Sequence, residues 1–348
     1  MNAIAQNRCK VSFVGFLAFA LLPGCVKRTE TITVNKDGSV RLEVKVEGDR
    51  ADMESGAPPL GRAHGWEFDE KIEKQDDDKE NIIRTMRTTI PPGVPIPAAY
   101  PTNDPEGEAL ALQHPTTVTI ERRADGTYYH FRRVFEARPW AYLNYYHQML
   151  IEEPLERSGD KSPEELSSEK KQELVQNIIH LEGLKHLTHA RRAALAIDPP
   201  MRQDDWVRIH AAVRETLDEV DTEQVLELLE QSLSEEDSDD AVADELTKLA
   251  DRLNERITDA VRKTLLHLGM SRRYIAAFSD AIAEEKRRFA ITEDYGDEEW
   301  EVYLSMPGRL IGHNGDSVDE GKIKWSIDGK GFYDRQVELL ATSVVANE

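Results

Sequence analysis

Apolar and polar positions alternate one by one through the first third of this chain, as in Thr31-Ile32-Thr33-Val34 and Val40-Arg41-Leu42-Glu43-Val44-Lys45-Val46. Side chains of a β-strand point to opposite faces in turn, so this period of two predicts half-buried strands. The pattern places them at 29–35, 40–47, 66–73, 82–90, 116–123 and 127–137. Lys36-Asp37-Gly38-Ser39 joins the first pair with Asp-Gly turn chemistry, and Ala124-Asp125-Gly126 joins the last pair. Residues 91–105 contain six prolines, which deny a sheet its N–H donors, and are expected to form an irregular loop.

From about residue 138 the period lengthens to that of an α-helix. Ser162-Pro163-Glu164-Glu165 carries an N-cap serine and a first-turn proline, and Leu174, Ile178, Leu181 and Leu184 continue a drifting apolar stripe. Pro199 and Pro200 interrupt the pattern, which resumes at 206–220 and 223–233. The clearest helix is 240–268, with Val242, Leu246, Leu249, Leu253, Ile257, Val261, Leu265 and Leu268 at spacings of three and four. Its wide stripe suits packing in its own bundle better than a coiled coil with another protein. Gly269 is expected to cap it, and Ser271 to open a further helix ending near Phe289. Strand patterning then returns at 299–306, 309–313, 322–327 and 336–345, with turns at Asn314-Gly315 and Asp328-Gly329. The fold class is therefore α+β: an antiparallel sheet domain split in sequence by a large helical insertion. Its β parts are 25–137 and 298–348, and the insertion is 138–297.

One segment stands outside these periods. Residues 11–22 form an unbroken weakly polar to apolar run of 12 residues behind Arg8 and Lys10, ending in Leu22-Pro23-Gly24-Cys25. A basic start, a short apolar core and a small residue before the cut are the layout of a secretory signal. The run is too short to span a bilayer, for which a helix needs about 20 apolar residues. The ending resembles the lipobox of bacterial lipoproteins, although Pro23 stands where Ala, Ser, Thr or Val is usual. That resemblance implies cleavage between Gly24 and Cys25, a diacylglyceryl thioether on the Cys25 thiol, and acylation of the new N-terminus. Two anchoring signals of this kind hold a protein stably on a membrane. Val26 is not the aspartate that retains many lipoproteins at an inner membrane, which favours an outer membrane where a cell has two.

Charge narrows the partners. The chain has 44 basic and 66 acidic residues, a net charge of −22, and loss of Arg8 and Lys10 with the signal makes it −24. So acidic a protein disfavours nucleic acid and anionic headgroups, leaving attachment to the acyl chains. Its two cysteines are Cys9, lost with the signal, and Cys25, consumed by lipid. The mature chain then has no thiol for a disulfide, a nucleophile or a metal.

The two β ends also carry short motifs in common with a known family. These are Lys36-Asp37-Gly38-Ser39-Val40 close behind the lipidated cysteine, then Leu304-Ser305-Met306-Pro307-Gly308-Arg309-Leu310-Ile311, Asn314-Gly315 and Ile323-Lys324-Trp325-Ser326-Ile327. A strand ending in Pro-Gly, an Asn-Gly turn and a tryptophan strand resemble the LppM-like domain of bacterial lipoproteins. The resemblance covers 25–50 and 298–345 and leaves the helical centre unaccounted for. It implies no reaction, and suggests an envelope-facing β-rich domain that contacts lipid or other envelope components.

Candidate chemistry is sparse. On a straight helix His186 and His189 lie about 60° apart with Glu182 between them in angle, a donor set suited to a divalent metal. His180 points away from both, the HExxH spacing is missing, and an exposed, functionally silent set is the expected reading. The run Glu235-Glu236-Asp237-Ser238-Asp239-Asp240 lacks the glycine and terminal glutamate of a Ca²⁺ loop, and suits the positive end of the helix that follows. No Gly-x-Ser-x-Gly elbow or phosphate-binding glycine loop occurs. The aromatic stretch Trp140-Ala141-Tyr142-Leu143-Asn144-Tyr145-Tyr146-His147 reads as packing between helix and sheet, or as the lining of a groove. The expected function is thus that of a lipid-anchored, non-enzymatic envelope protein without cofactor. A carrier or sensor of an apolar ligand held between sheet and helices is the alternative, and a metal-dependent hydrolase using Glu182, His186 and His189 a weaker one.

Overall fold

A computed structural model describes residues 26–50, 53, 60–74, 80–103, 110–138, 145–146, 148–152, 166–234, 240–296 and 298–347. They fall into two compact units, a β unit within 23–139 and 289–348 and a helical unit within 140–288.

The β unit has eleven described strands: β1 (Val26–Val34), β2 (Val40–Asp49), β3 (Glu67–Lys74), β4 (Glu80–Ile90), β5 (Thr116–Arg123), β6 (Gly126–Phe135), β7 (Glu298–Ser305), β8 (Arg309–His313), β9 (Ser317–Asp319), β10 (Lys322–Asp328) and β11 (Val337–Ala346). Ten of them match the alternating pattern. Only three-residue β9 is too short to have shown a period. Seven strands form one sheet in the order β3-β4-β2-β1-β7-β10-β9, and four form a second in the order β5-β6-β11-β8. Both ends of the chain thus share both sheets, through β1 beside β7 and β6 beside β11.

The expectation of one antiparallel sheet needs two corrections, since the strands form two sheets and one pair is parallel. β1 and β7 run parallel, with Val26 opposite Glu298 and Ile32 opposite Leu304. Parallel neighbours require a long crossover, which the intervening chain supplies. The inner faces of the two sheets share one core. Ile32, Val34, Leu42, Trp300, Val302 and Leu304 come from the larger sheet, and Tyr129, Phe131, Phe135, Leu339 and Ala341 from the smaller. The chain passes from one sheet to the other at Pro307-Gly308. Gly308 has φ +79°, and a Cβ there would lie 2.2 Å from the Val344 carbonyl oxygen. Only glycine satisfies both demands.

The helical unit contains α1 (Ser168–Ala196), α2 (Gln203–Asp218), α3 (Thr222–Ser234), α4 (Asp240–His267) and the greater part of α5 (Arg272–Gly296). Ser167 caps α1, its hydroxyl accepting from the Lys170 N–H. The Ser162 start and the acidic run 235–239 lie outside the described residues. Ala190, Ala193, Ile209, Val213, Leu253, Ile257, Val261, Leu265 and Phe278 pack into one core. At the end of α4, Gly269 at φ +74° lets the Met270 N–H reach the Leu265 carbonyl, as a C-cap glycine does.

α5 runs seven residues past the expected end at Phe289. The extension is explained by burial: Ile291 and Tyr295 belong to the core of the β unit, and the Tyr295 hydroxyl accepts a hydrogen bond from the Leu112 N–H at 3.1 Å. Among the described residues, no helix is long and apolar enough to cross a membrane.

Candidate functional site

Gly24 and Cys25 lie outside the described residues, but the strand that begins at Val26 defines where the lipid attachment would enter the β unit. β1 is the middle strand of seven. At the Val26 edge it meets the start of β7 at Glu298 and, through the Lys27–Glu47 pair, the end of β2. β2 ends there against Asn81 at the start of β4, and β10 ends there with Asp328 opposite Glu299. Arg138 and the last turn of α5, both part of the β unit, lie at this same edge. The Arg138 N–H donates to the Phe332 carbonyl at 2.8 Å, in the short turn Gly329–Phe332 that follows β10. The end of α5 packs against that turn, where a Cβ on Gly329 would collide with the Tyr295 carbonyl. Of the cations near this edge, Lys27 pairs with Glu301 at 3.2 Å and Arg50 with Glu80 at 2.7 Å, while Lys74 and Lys330 are exposed.

Between the two sheets lies a buried polar network that the strand pattern alone had not singled out. Arg28 and Glu30 sit on β1 with the same inward parity as Ile32 and Val34. Arg133 on β6 shares the parity of Phe131 and Phe135, and Glu298 on β7 that of Trp300. A charged residue in the inward register of an otherwise apolar strand was the available signal. Arg28 holds Glu298 through two bonds of 3.0 and 3.3 Å and lies 4.5 Å above the Trp300 ring. Arg133 pairs with Glu30 and donates to Thr116 Oγ1 at 2.8 Å. Burial opposes the charge on Arg28, but Glu298, Tyr295 and Glu30 together outweigh it and hold the guanidinium pKa above its ordinary value.

His114 stands beside this network. Its ring centroid is 4.6 Å from that of Tyr100, and among the described residues neither ring nitrogen has a hydrogen-bond partner. Burial, reinforced by the positive charge of Arg133, holds the His114 pKa well below its ordinary value. Burial also raises the Tyr100 pKa, as does the neighbouring Glu30. Arg28, Glu30, Tyr100, His114, Arg133 and Glu298 are each at most 6% exposed. A general acid or nucleophile has to reach a substrate, and these side chains face one another inside a packed core. The arrangement ties the two sheets together across their shared core.

The histidine set on α1 is placed differently from its expected exposed position. Glu182, His186 and His189 are all buried, as is Lys185. The Lys185 ammonium lies 3.2 Å from a Glu182 carboxylate oxygen. Burial lowers the pKa of both histidines, and the positive charge of Lys286 lowers it further, His189 reaching about 3. Two ammonium groups thus occupy the surroundings in which a divalent cation would have to be stabilised, and they oppose it. Among the described residues, no group of three His, Asp, Glu or Cys side chains is placed to hold a metal. Of the aromatic stretch 140–147, Tyr145 and Tyr146 are described; both are exposed, with ring centroids 5.8 Å apart.

No protein-family model and no curated protein matches the chain. Among solved structures, it is similar to the folded domain of the Mycobacterium tuberculosis LppM protein, determined by NMR. That alignment covers 92% of this chain and 91% of the other, at 6% identity and a TM-score of 0.28. A score so low does not establish a common fold.

Proposed function

We propose that this chain is a lipid-anchored protein of the cell envelope that works by binding, with Cys25 as the lipidated residue and residues 1–24 removed. The observation that carries this reading is the sequence Leu22-Pro23-Gly24-Cys25 standing directly before β1, so that a signal-like segment ends where the folded domain begins. The middle strand of the larger sheet would then start one residue from the lipid, with no linker between anchor and fold. A sheet held in this way keeps its Val26 edge towards the bilayer, in an outer membrane if the cell has two. The turn motifs that resemble LppM-like lipoproteins agree with an envelope location. The burial of the ionisable network and the ammonium groups around Glu182, His186 and His189 favour binding over catalysis.

Intact-mass measurement of the detergent-extracted protein tests this directly. The expected species starts at Cys25 and carries the mass of a diacylglyceryl group, with or without an N-acyl chain. A chain that still begins at Met1, or a mature chain with a free Cys25 thiol, overturns the reading.

A further inference from the structure

One end of the helical bundle has a surface unlike the rest of this acidic protein. The C-terminus of α1, the N-terminus of α2, the C-terminus of α4 and the N-terminus of α5 meet there. Ile197, Met201, Trp206 and Met270 at these termini all pack on the core that contains Ala194, Ile209, Leu265 and Ile275. The Met201 N–H donates to the Ala194 carbonyl at 3.1 Å, and the Met270 N–H to the Leu265 carbonyl at 3.1 Å, which holds each turn against the helix before it.

Three large apolar side chains within two turns of these termini are turned to solvent: Leu195 at 66% exposure, Val207 at 58% and Leu266 at 52%. Around them, residues 191–210 and 259–273 hold eight arginines and lysines against four aspartates. Arg202 is matched by Asp205, and Arg262 and Lys263 by Asp259. Arg191, Arg272 and Arg273 are exposed, and among the described residues their side chains form no hydrogen bond or ion pair. The loop at the other end of α2 has the opposite character, since residues 215–227 contain six carboxylates and no lysine or arginine. In a chain of net charge −22, a local excess of cations around exposed leucine and valine is complementary to one surface in particular. Apolar side chains enter the boundary between headgroups and acyl chains, while arginines stay at phosphate level on their long stems.

We propose that this end of the bundle docks on an anionic lipid bilayer, with Leu195, Val207 and Leu266 inserted and Arg191, Arg272 and Arg273 on lipid phosphates. This is a contact made by the helical unit itself and does not depend on acylation of Cys25. It also refines the inference from net charge, because overall acidity does not exclude a local cationic end. A cation close to an anionic membrane contributes roughly fivefold in partitioning, so three contribute on the order of 100-fold.

The test uses the chain from Val26 onwards, which keeps every described residue and carries no acyl group. It is sedimented with vesicles of phosphatidylglycerol and phosphatidylcholine in equal parts, and with phosphatidylcholine alone. The expected result is binding to the anionic vesicles, weakened by salt, with a blue shift of Trp206 emission that a Trp206→Phe variant lacks. R191E/R272E/R273E should reduce that binding on the order of 100-fold or more. L195S/L266S, both exposed changes, should weaken it while circular dichroism remains unchanged. Equal binding to both vesicle types, no binding to either, or full binding by the folded arginine variant would each overturn the proposal.

Discussion

Glu30 on β1 and Arg133 on β6 form an ion pair from one sheet to the other, and both side chains are wholly shut off from water at 0% exposure. The partners are 103 positions apart in sequence, so only the packing of the two sheets brings them together. A buried pair of this kind costs desolvation that its attraction only partly offsets, but removing one partner leaves the other charge stranded. Glu30→Leu or Arg133→Met alone is therefore expected to destabilise the β unit by about 3–5 kcal/mol. The double substitution should recover most of that loss. Urea denaturation of the four species measures it; losses that simply add would show that the two side chains act independently.

Asn314 is a second junction between the sheets. Its side-chain oxygen accepts from Trp325 Nε1 at 3.0 Å and from the Leu340 N–H at 2.8 Å, while its amide donates to the Glu338 carbonyl at 2.7 Å. One side chain thus ties β10 of the larger sheet to β11 of the smaller. Asn314→Ala should cost about 1–3 kcal/mol, and Asn314→Asp should recover part of it through the two bonds to the oxygen. The readout is the thermal midpoint followed by near-UV circular dichroism.

Acid should loosen the helical unit before carboxylates titrate. His186 and His189 keep folded pKa values far below the ordinary 6.5, by burial first and by Lys286 second, with Glu182, Lys185 and Arg192 the other charges around them. The unfolded chain takes up these protons as pH falls through about 6.5 while the folded chain does not, so stability is present above that pH and declines towards about 3. Each histidine contributes up to about 1.4 kcal/mol per pH unit in that window. His189→Leu should flatten the slope of stability against pH between 6.5 and 4 as measured by helical ellipticity, and an unchanged slope would contradict the assignment.

Gly308 is expected to tolerate no side chain. Gly308→Ala should cost at least about 1–2 kcal/mol from the left-handed backbone alone, with the clash against Val344 added to it. A variant as stable as the parent in chemical denaturation would mean that the crossing between the sheets relaxes freely.

How far the sequence could be read depended on the range of the forces involved. Strand and helix periods survive because each residue's burial is set by its own parity or helical angle, and ten strands and the main helices followed from that alone. The end of α5 was missed because Ile291 and Tyr295 belong to the β unit's core, whereas the earlier stripe through Phe278 and Ile282 belongs to the helical unit's own. Glu182, His186 and His189 were legible as neighbours on one helix. Their burial was not, because Lys286 and the opposing helices come from far along the chain. Asn314 looked like a turn residue, and only the pairing of β8, β10 and β11 shows it as a tie between sheets.

By itself, the sequence determined the alternation of the strands, the helical segment between their two groups, and the placement of Cys25 a few residues before the first strand. These are local properties, decided by side-chain period, turn chemistry and the hydropathy of a short run. Tertiary structure alone decided that β1 and β7 lie parallel, that Glu30 meets Arg133, and that side chains at the ends of four helices pack on one core. Each of those joins residues many positions apart, and no pattern along the chain encodes a distance that only packing closes.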